Sequence, residues 1–342
     1  MQQEAPFAMG AVLDGRYQLD RPLGEGGMGT IWVGRQLSLG REVAIKSIKP
    51  GRPQDHAQLA REARLLASVR HAAIVQVFDF SEVSGQLAYV VMELVRGESL
   101  EAHLDRRGRI PAVEAVSLML PLLDGLAVVH DAGIVHRDIK PANVVLALEG
   151  VSPSTQIVPK LLDFGIARDV QPTSLTIAGE LAGTPDYMAP EQFLGLRADA
   201  RSDLWSVAAM LYDMLAGEPP FAGANLFEIM RRVRDEPPPF PRAAEGLDGA
   251  LWRLLTGTLR KDPNERPQSA LALRAELAAW LTVRGGPREL RDVAMPAPPR
   301  PSLSAPSDAP TITADAALRP PVPTESAGPT FDALIKQRLG GS

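Results

Sequence analysis

The chain has 342 residues, 45% of them apolar and 23% charged, an ordinary globular composition with room for two domains or lobes. It contains no cysteine, which removes disulfides, thiolate catalysis and Cys-ligated zinc or iron–sulfur centres. A formal net charge of −5 supplies no basic field, so neither nucleic acid nor anionic lipid is favoured as a partner.

The first residues, MQQEAPFAMGAV, carry no basic region and no long apolar core, so no secretory signal is expected. From Val12 to about Val95 the pattern is mostly strand: RYQLDRPL, TIWVG, EVAIKSIK, IVQVFDFSEV and QLAYVVMELV, several closed by glycine, proline or Ser-Gly turns. One helix interrupts them, from about Gln54 to Val69. Leu59, Leu66 and Val69 fall at helical spacing there, and Glu62 lies on the same stripe. A carboxylate on an apolar face needs a cation, and Lys46 on the neighbouring strand is the obvious partner.

After Arg96 helices dominate, over Pro111 to His130, Arg201 to Ala216, Leu226 to Arg234, Ala250 to Leu259 and Gln268 to Val283. The longest apolar stretch, Ala115 to His130, is broken by Pro121 and Asp124. It falls short of the roughly 20 residues of a membrane span, so it is expected to be a buried helix and no transmembrane segment is predicted. Gly285-Gly286 stops the last helix, and the folded part should end near 284. Residues 285–342, rich in proline, alanine and serine, are expected to be a disordered tail or linker. Within it FDALIKQRL, 331–339, is the one stretch with a short helical pattern, and Thr311 and Thr313 are phosphate acceptors by composition alone.

Four motifs carry chemistry. LGEGGMGTIWV, residues 23–33, fits G-x-G-x-x-G. A dinucleotide site would need a helix after the last glycine. Thr30 to Val33 are instead β-branched and aromatic, so the stretch reads strand, glycine turn, strand: a hairpin lid whose Gly26 to Gly29 backbone would cover phosphates. VAIK, 43–46, puts Lys46 on a strand shortly afterwards, where it suits pairing with phosphates. HRDIKPAN, 136–143, is the most specific string. Asp138 suits accepting a hydroxyl proton, Asn143 holding Mg²⁺, and Lys140 neutralising charge on a transferring phosphate. DFG, 163–165, ends the apolar run IVPKLL with a carboxylate that would bridge β- and γ-phosphates through Mg²⁺.

With these residues in this order the chain resembles a protein kinase of the serine/threonine class, specifically the bacterial eukaryotic-like group, over about residues 12–284. The resemblance implies an α+β, two-lobed fold. A small, mostly antiparallel β lobe (12–95) with one key helix would precede a larger, mainly α lobe (96–284). It further implies ATP as cosubstrate with Mg²⁺ (Mn²⁺ as an alternative), bound by Leu23, Gly24, Glu25, Gly26, Gly27, Met28, Gly29, Thr30, Ile31, Ala44, Lys46 and Leu146. Met92 would be the gatekeeper and Glu93 to Val95 the linker whose backbone bonds adenine. Asn143 and Asp163 would hold metal; Asp138, Lys140, Lys46, Glu62 and Thr184 would form the catalytic set. Lys140 and Thr184 fit aliphatic hydroxyls of proteins as acceptors. GTPDYMAPEQ, 183–192, would dock substrate, with Glu191 paired to Arg266, and Asp203 would anchor the catalytic loop.

Arg137 suits reading a phosphate on the activation loop, where Thr173, Ser174 and Thr176 are candidate acceptors, expected to be phosphorylated in trans within a transient homodimer. One departure from the family pattern is the lengthened hairpin LEGVSPSTQ, 148–156, expected to leave chemistry untouched. A cytoplasmic location is expected, with membrane tethering through some further region left open. A small-molecule phosphotransferase of related fold and a pseudokinase scaffold are the alternatives; the first does not need Ala189-Pro190-Glu191, and the complete catalytic set argues against the second.

Overall fold

The computed structural model describes residues 7–26, 29–48, 53–83, 87–149, 156–164 and 185–284. The first part is a six-stranded antiparallel sheet, ordered β1-β2-β3-β4-β6-β5. Its strands are β1 (Val12–Leu13), β2 (Tyr17–Gly26), β3 (Gly29–Gln36), β4 (Arg41–Ile48), β5 (Val77–Val83) and β6 (Leu87–Met92). Helix α1 (Pro53–Ser68) separates β4 from β5.

Strand β6 shows why its sequence is apolar without alternation. Tyr89 and Val91 face a small core with Leu13, Tyr17, Leu19, Trp32, Val43 and Ile45, while Ala88 and Val90 face the main core with Leu66 and Val69. Both faces are buried, so side chains of period two leave no polar position between them.

A second, three-stranded sheet joins β7 (Gly97–Ser99), β8 (Val144–Glu149) and β9 (Gln156–Leu161). Gly97 is required there, because a Cβ would lie 2.3 Å from the carbonyl oxygen of Leu146. Ile74, just ahead of β5, bridges in parallel to Leu161, tying this sheet to the first part of the chain.

The helical part holds α2 (Leu100–Arg107), α3 (Ala112–Asp131), α4 (Pro190–Phe193), α5 (Ala200–Ala216), α6 (Leu226–Asp235), α7 (Gly249–Thr258) and α8 (Ala270–Val283). Five of these carry side-chain N-caps, from Ser99, Asp199, Asn225, Asp248 and Ser269. Helix α5 is central: Leu204, Trp205, Leu211 and Leu215 are buried, and its buried Ser202, Asp203, Ser206 and Asp213 all find hydrogen-bond partners.

Two expectations need amendment. Helix α2 did not show in the sequence, since eight residues rich in charge give little periodicity. Helix α3 runs through Pro121 for 20 residues and is, by length and composition, long and apolar enough to cross a membrane. In this fold Ala115, Val116, Leu118, Met119, Leu122, Leu123, Leu126 and Val129 are all packed in the main core.

Candidate active site

The loop between α3 and β8 carries His136, Arg137 and Asp138, and buried Asp203 of α5 fastens it. One carboxylate oxygen accepts the backbone N–H of His136 at 2.8 Å; the other accepts that of Arg137, also at 2.8 Å. His130, at the end of α3, adds a third bond to Asp203 at 2.8 Å. Arg137 sits at φ 66, a conformation an L residue holds only when its surroundings dictate it.

His136 is fully buried. Its Nε2–H donates to the carbonyl of Leu162 at 2.8 Å, its Nδ1 accepts the N–H of Asp138 at 3.2 Å, and its ring lies 4.6 Å from that of Phe164. Burial pushes this imidazole below its ordinary range, against the pull of Asp203, so it is a neutral strut between Asp138 and the strand leading to Asp163.

Asp138 is framed on both sides. Lys140 Nζ lies 3.3 Å from its carboxylate. Asn143, held in a 3-10 turn over Pro141–Asn143, donates from its amide nitrogen to the backbone oxygen of Asp138 at 2.7 Å and to the carboxylate at 3.2 Å. That leaves the amide oxygen as the atom suited to a cation. Gln192 of α4 donates to the backbone oxygen of Arg137 at 3.1 Å, linking the segment after Pro190 to the loop.

Lys46 reaches this centre from β4, but not to the expected partner. Its Nζ lies 2.9 Å from Asp163, a residue at φ 50, whereas the Glu62 carboxylate lies 3.9 Å from Nη1 of Arg137. Periodicity placed Glu62 on the inward stripe of α1. It carried no information on which cation, Lys46 or Arg137, the fold would set opposite.

The strand registers assemble the expected nucleotide residues. Ile31 pairs with Lys46 and Ala44 with Met92. Gly24 faces Ile31, Glu25 faces Thr30, and Gly26 faces Gly29, so the glycine stretch is a hairpin between two strands. Ala44 and Leu146 are buried, while Leu23 is exposed. Beyond Met92, the N–H of Glu93 donates to the carbonyl of Gln76 at 2.9 Å, and Lys160 of β9 donates to the Glu93 carboxylate at 2.8 and 3.1 Å. Val95 packs against the main core. Gly27, Met28, Thr184, Thr173, Ser174 and Thr176 lie outside the described residues, as do 150–155 of the lengthened hairpin and the tail.

The donor set fits Mg²⁺ with a nucleoside triphosphate. Among the described residues no cluster of three or more His, Asp or Glu could hold a metal by itself. One carboxylate and one amide oxygen, Asp163 and Asn143, suit an ion that takes few protein oxygens and completes its shell with phosphates and water. The hairpin fits phosphates too: at Gly29, φ 146, a Cβ would lie 1.9 Å from the carbonyl oxygen of Ser47, so the backbone there must stay bare.

The segment expected to dock substrate shows the expected pair. Arg266, buried, donates to both oxygens of Glu191 at 2.8 and 2.9 Å, and the Ser202 hydroxyl adds a bond at 2.6 Å. Burial acts upward on Glu191, but the Arg266 and Ser202 hydrogen bonds win and hold its carboxyl below the usual range. Sequence reasoning missed His130, Gln192 and Lys160. His130 and Lys160 sit in no motif, and the motif that Gln192 ends, 183–192, does not announce its bond to the loop; each contact is found only by the element that folds back onto the loop or linker.

The protein kinase domain family matches residues 17–277. Over 280 residues the chain is 44% identical to a serine/threonine-protein kinase of Myxococcus xanthus, pkn2, covering 78% of this chain and 33% of that protein. It is 37% identical over 306 residues to serine/threonine-protein kinase PknA of Mycobacterium tuberculosis, covering 87% of this chain and 66% of PknA. It is 36% identical over 273 residues to PknB of Mycobacterium leprae, covering 78% of this chain and 43% of PknB. The chain thus spans between about a third and two thirds of the length of these relatives. A catalytic loop fastened to α5, a glycine hairpin over β4 and a family match across most of the length lead to one assignment: the chain belongs to the protein kinase family.

Proposed function

We propose that the chain is a serine/threonine protein kinase that moves the γ-phosphate of ATP, bound with Mg²⁺, onto aliphatic hydroxyls of proteins. The observation that carries this reading is Asp138, held by a loop anchored on Asp203, with Lys140 at 3.3 Å and the Asn143 amide at 3.2 Å. Asp138 is placed to accept the proton of an attacking hydroxyl, and Lys140 to meet charge on the phosphate in transit. Lys46 orients the phosphates, and Asn143 and Asp163 hold the metal. Bound Mg²⁺ supplies neutralisation of the developing phosphate charge. Mn²⁺ would fit the same oxygen donors.

The names of the relatives support hydroxyl acceptors on proteins, and the buried Glu191–Arg266 pair supports a rigid docking segment beside the loop. Regulation by phosphorylation of Thr173, Ser174 or Thr176, in trans between two copies, and a cytoplasmic site of action belong to the same proposal. Incubation with Mg²⁺ and ATP, followed by phosphosite mapping on the chain and on a basic test protein, checks it. Phosphoserine and phosphothreonine are expected, with phosphate in the 173–176 segment. In Asp138→Asn, turnover should fall by about 10²- to 10⁴-fold with ADP binding retained. Undiminished turnover in that variant would remove Asp138 as the base.

A further inference from the structure

Lys160 is the one lysine among the described residues that is buried, with 8% of its side chain exposed. A buried ammonium demands hydrogen-bonded, oppositely charged company. It takes the carboxylate of Glu93 with two charge-assisted bonds, at 2.8 and 3.1 Å. Glu93 is the first residue after β6, in the linker between the two parts of the fold, and its own side chain is 31% exposed. Water could satisfy that carboxylate outside. Lys160 draws it inward and ties the linker to β9.

The three residues after Lys160 give the tie its meaning. Leu161 donates its N–H to Ala73 at 2.8 Å and accepts from Val75 at 3.0 Å, gripping the segment ahead of β5. Leu162 accepts from His136 of the catalytic loop, and Asp163 pairs with Lys46. Four consecutive residues therefore hold the linker, the base of β5, the catalytic loop and the phosphate-side lysine. Gln76, beside that base, accepts the N–H of Glu93 at 2.9 Å, so the linker is fixed from backbone and side chain together.

Resting on the kinase reading, we propose that Lys160, acting through Glu93, is a positioning residue for the nucleotide. It sets the linker backbone against the purine and fixes that position relative to Asp163. Glu93 contributes its backbone to adenine and its side chain to this tie.

The test is Lys160→Met, which removes the charge and keeps a long apolar side chain. Equilibrium binding of a fluorescent ADP derivative in saturating Mg²⁺ is measured beside steady-state kinetics with ATP and GTP on a basic test protein. Lys160→Met should weaken ADP binding and raise the KM for ATP by about 3- to 30-fold, with kcat at saturating ATP within about threefold. Preference for ATP over GTP should narrow. Lys160→Arg should restore most of the affinity, and Glu93→Gln should reproduce Lys160→Met, the double variant being no worse than either single one. If Lys160→Met fails to fold by circular dichroism, Glu93→Gln, altered at a part-exposed carboxylate, decides the matter alone. Unchanged ADP affinity and purine preference would overturn the proposal, as would a fall in kcat with affinity intact. Absence of phosphate transfer by the unaltered protein would count against the kinase reading instead, while the change in ADP binding would still judge Lys160.

Discussion

Gly29 shows how much of the proposed nucleotide side depends on one absent atom. At φ 146 its missing Cβ faces the backbone oxygen of Ser47 at 1.9 Å, and the Ser47 hydroxyl is already engaged, accepting from Thr30 N–H at 3.0 Å and donating to Thr30 O at 2.9 Å. No rotamer change can relieve a clash with backbone, so Gly29→Ala must push β3 away from β4 just where Ile31 pairs with Lys46. Its KM for ATP should rise by about tenfold or more, and stability should fall by about 1–3 kcal/mol. Gly257 in α7 is the contrast, with nothing within 4 Å of its would-be Cβ. Gly257→Ala should be neutral to stabilising by up to about 1 kcal/mol. Steady-state kinetics and urea melts of the two variants side by side make the check. Equal effects would show that the Ser47 contact is not what matters.

At the scale of elements, the Glu191–Arg266 pair joins α4 to the turn before α8, with Ser202 of α5 as a third member. Buried pairs give little net stability when formed, yet losing one partner strands a charge away from water. Arg266→Leu should therefore destabilise by about 3–5 kcal/mol, and adding Glu191→Gln should recover part of that loss. The pH dependence has a definite sign. The folded-state carboxyl of Glu191 titrates below its ordinary value of 4.5, so its contribution is present above that pH and is lost as pH falls through the lower folded value. Denaturant titrations at pH 7 and down to pH 3 should show a shallower acid slope in the double variant than in the unaltered chain.

Elements of this kind were legible in the sequence where a cap or a period announced them. The helical period put the starts of α5 and α6 at Arg201 and Leu226, within a residue of the Ala200 and Leu226 found, and the strand preference of Thr30 to Val33 settled the hairpin. Helix α2 was not legible, since LEAHLDRR offers a single apolar pair, Leu100 and Leu104, among charged residues and depends on the Ser99 cap. The partners of Lys46 and Glu62 were not legible either, because which of several facing charges meet is decided by strand register and helix placement, and periodicity encodes neither.

For the molecule as a whole, the main core runs without a break from Ile48, Leu66 and Val90 in the first part to Trp205 and Leu277 in the helical part, while the Leu19–Trp32–Tyr89 core belongs to the first part alone. The residues proposed to bind nucleotide come from both parts: Lys46 and the glycine hairpin from one, Asn143, Leu146 and Asp163 from the other. A ligand that spans them binds only when both are folded and closed on each other, so its binding energy adds to the stability of the assembled fold. ADP with Mg²⁺ at about 100 times its Kd should contribute about 2.7 kcal/mol, raising the melting temperature by about 5 °C. The metal is part of that prediction, since in the proposed function Asn143 and Asp163 would reach phosphate only through it. Chelation with EDTA should cancel most of the shift, and Asp163→Asn should reduce it even in excess Mg²⁺. A shift that survives both treatments would mean that the phosphates are held by Lys46 and the hairpin without the metal, and the roles given to Asn143 and Asp163 would then have to be withdrawn.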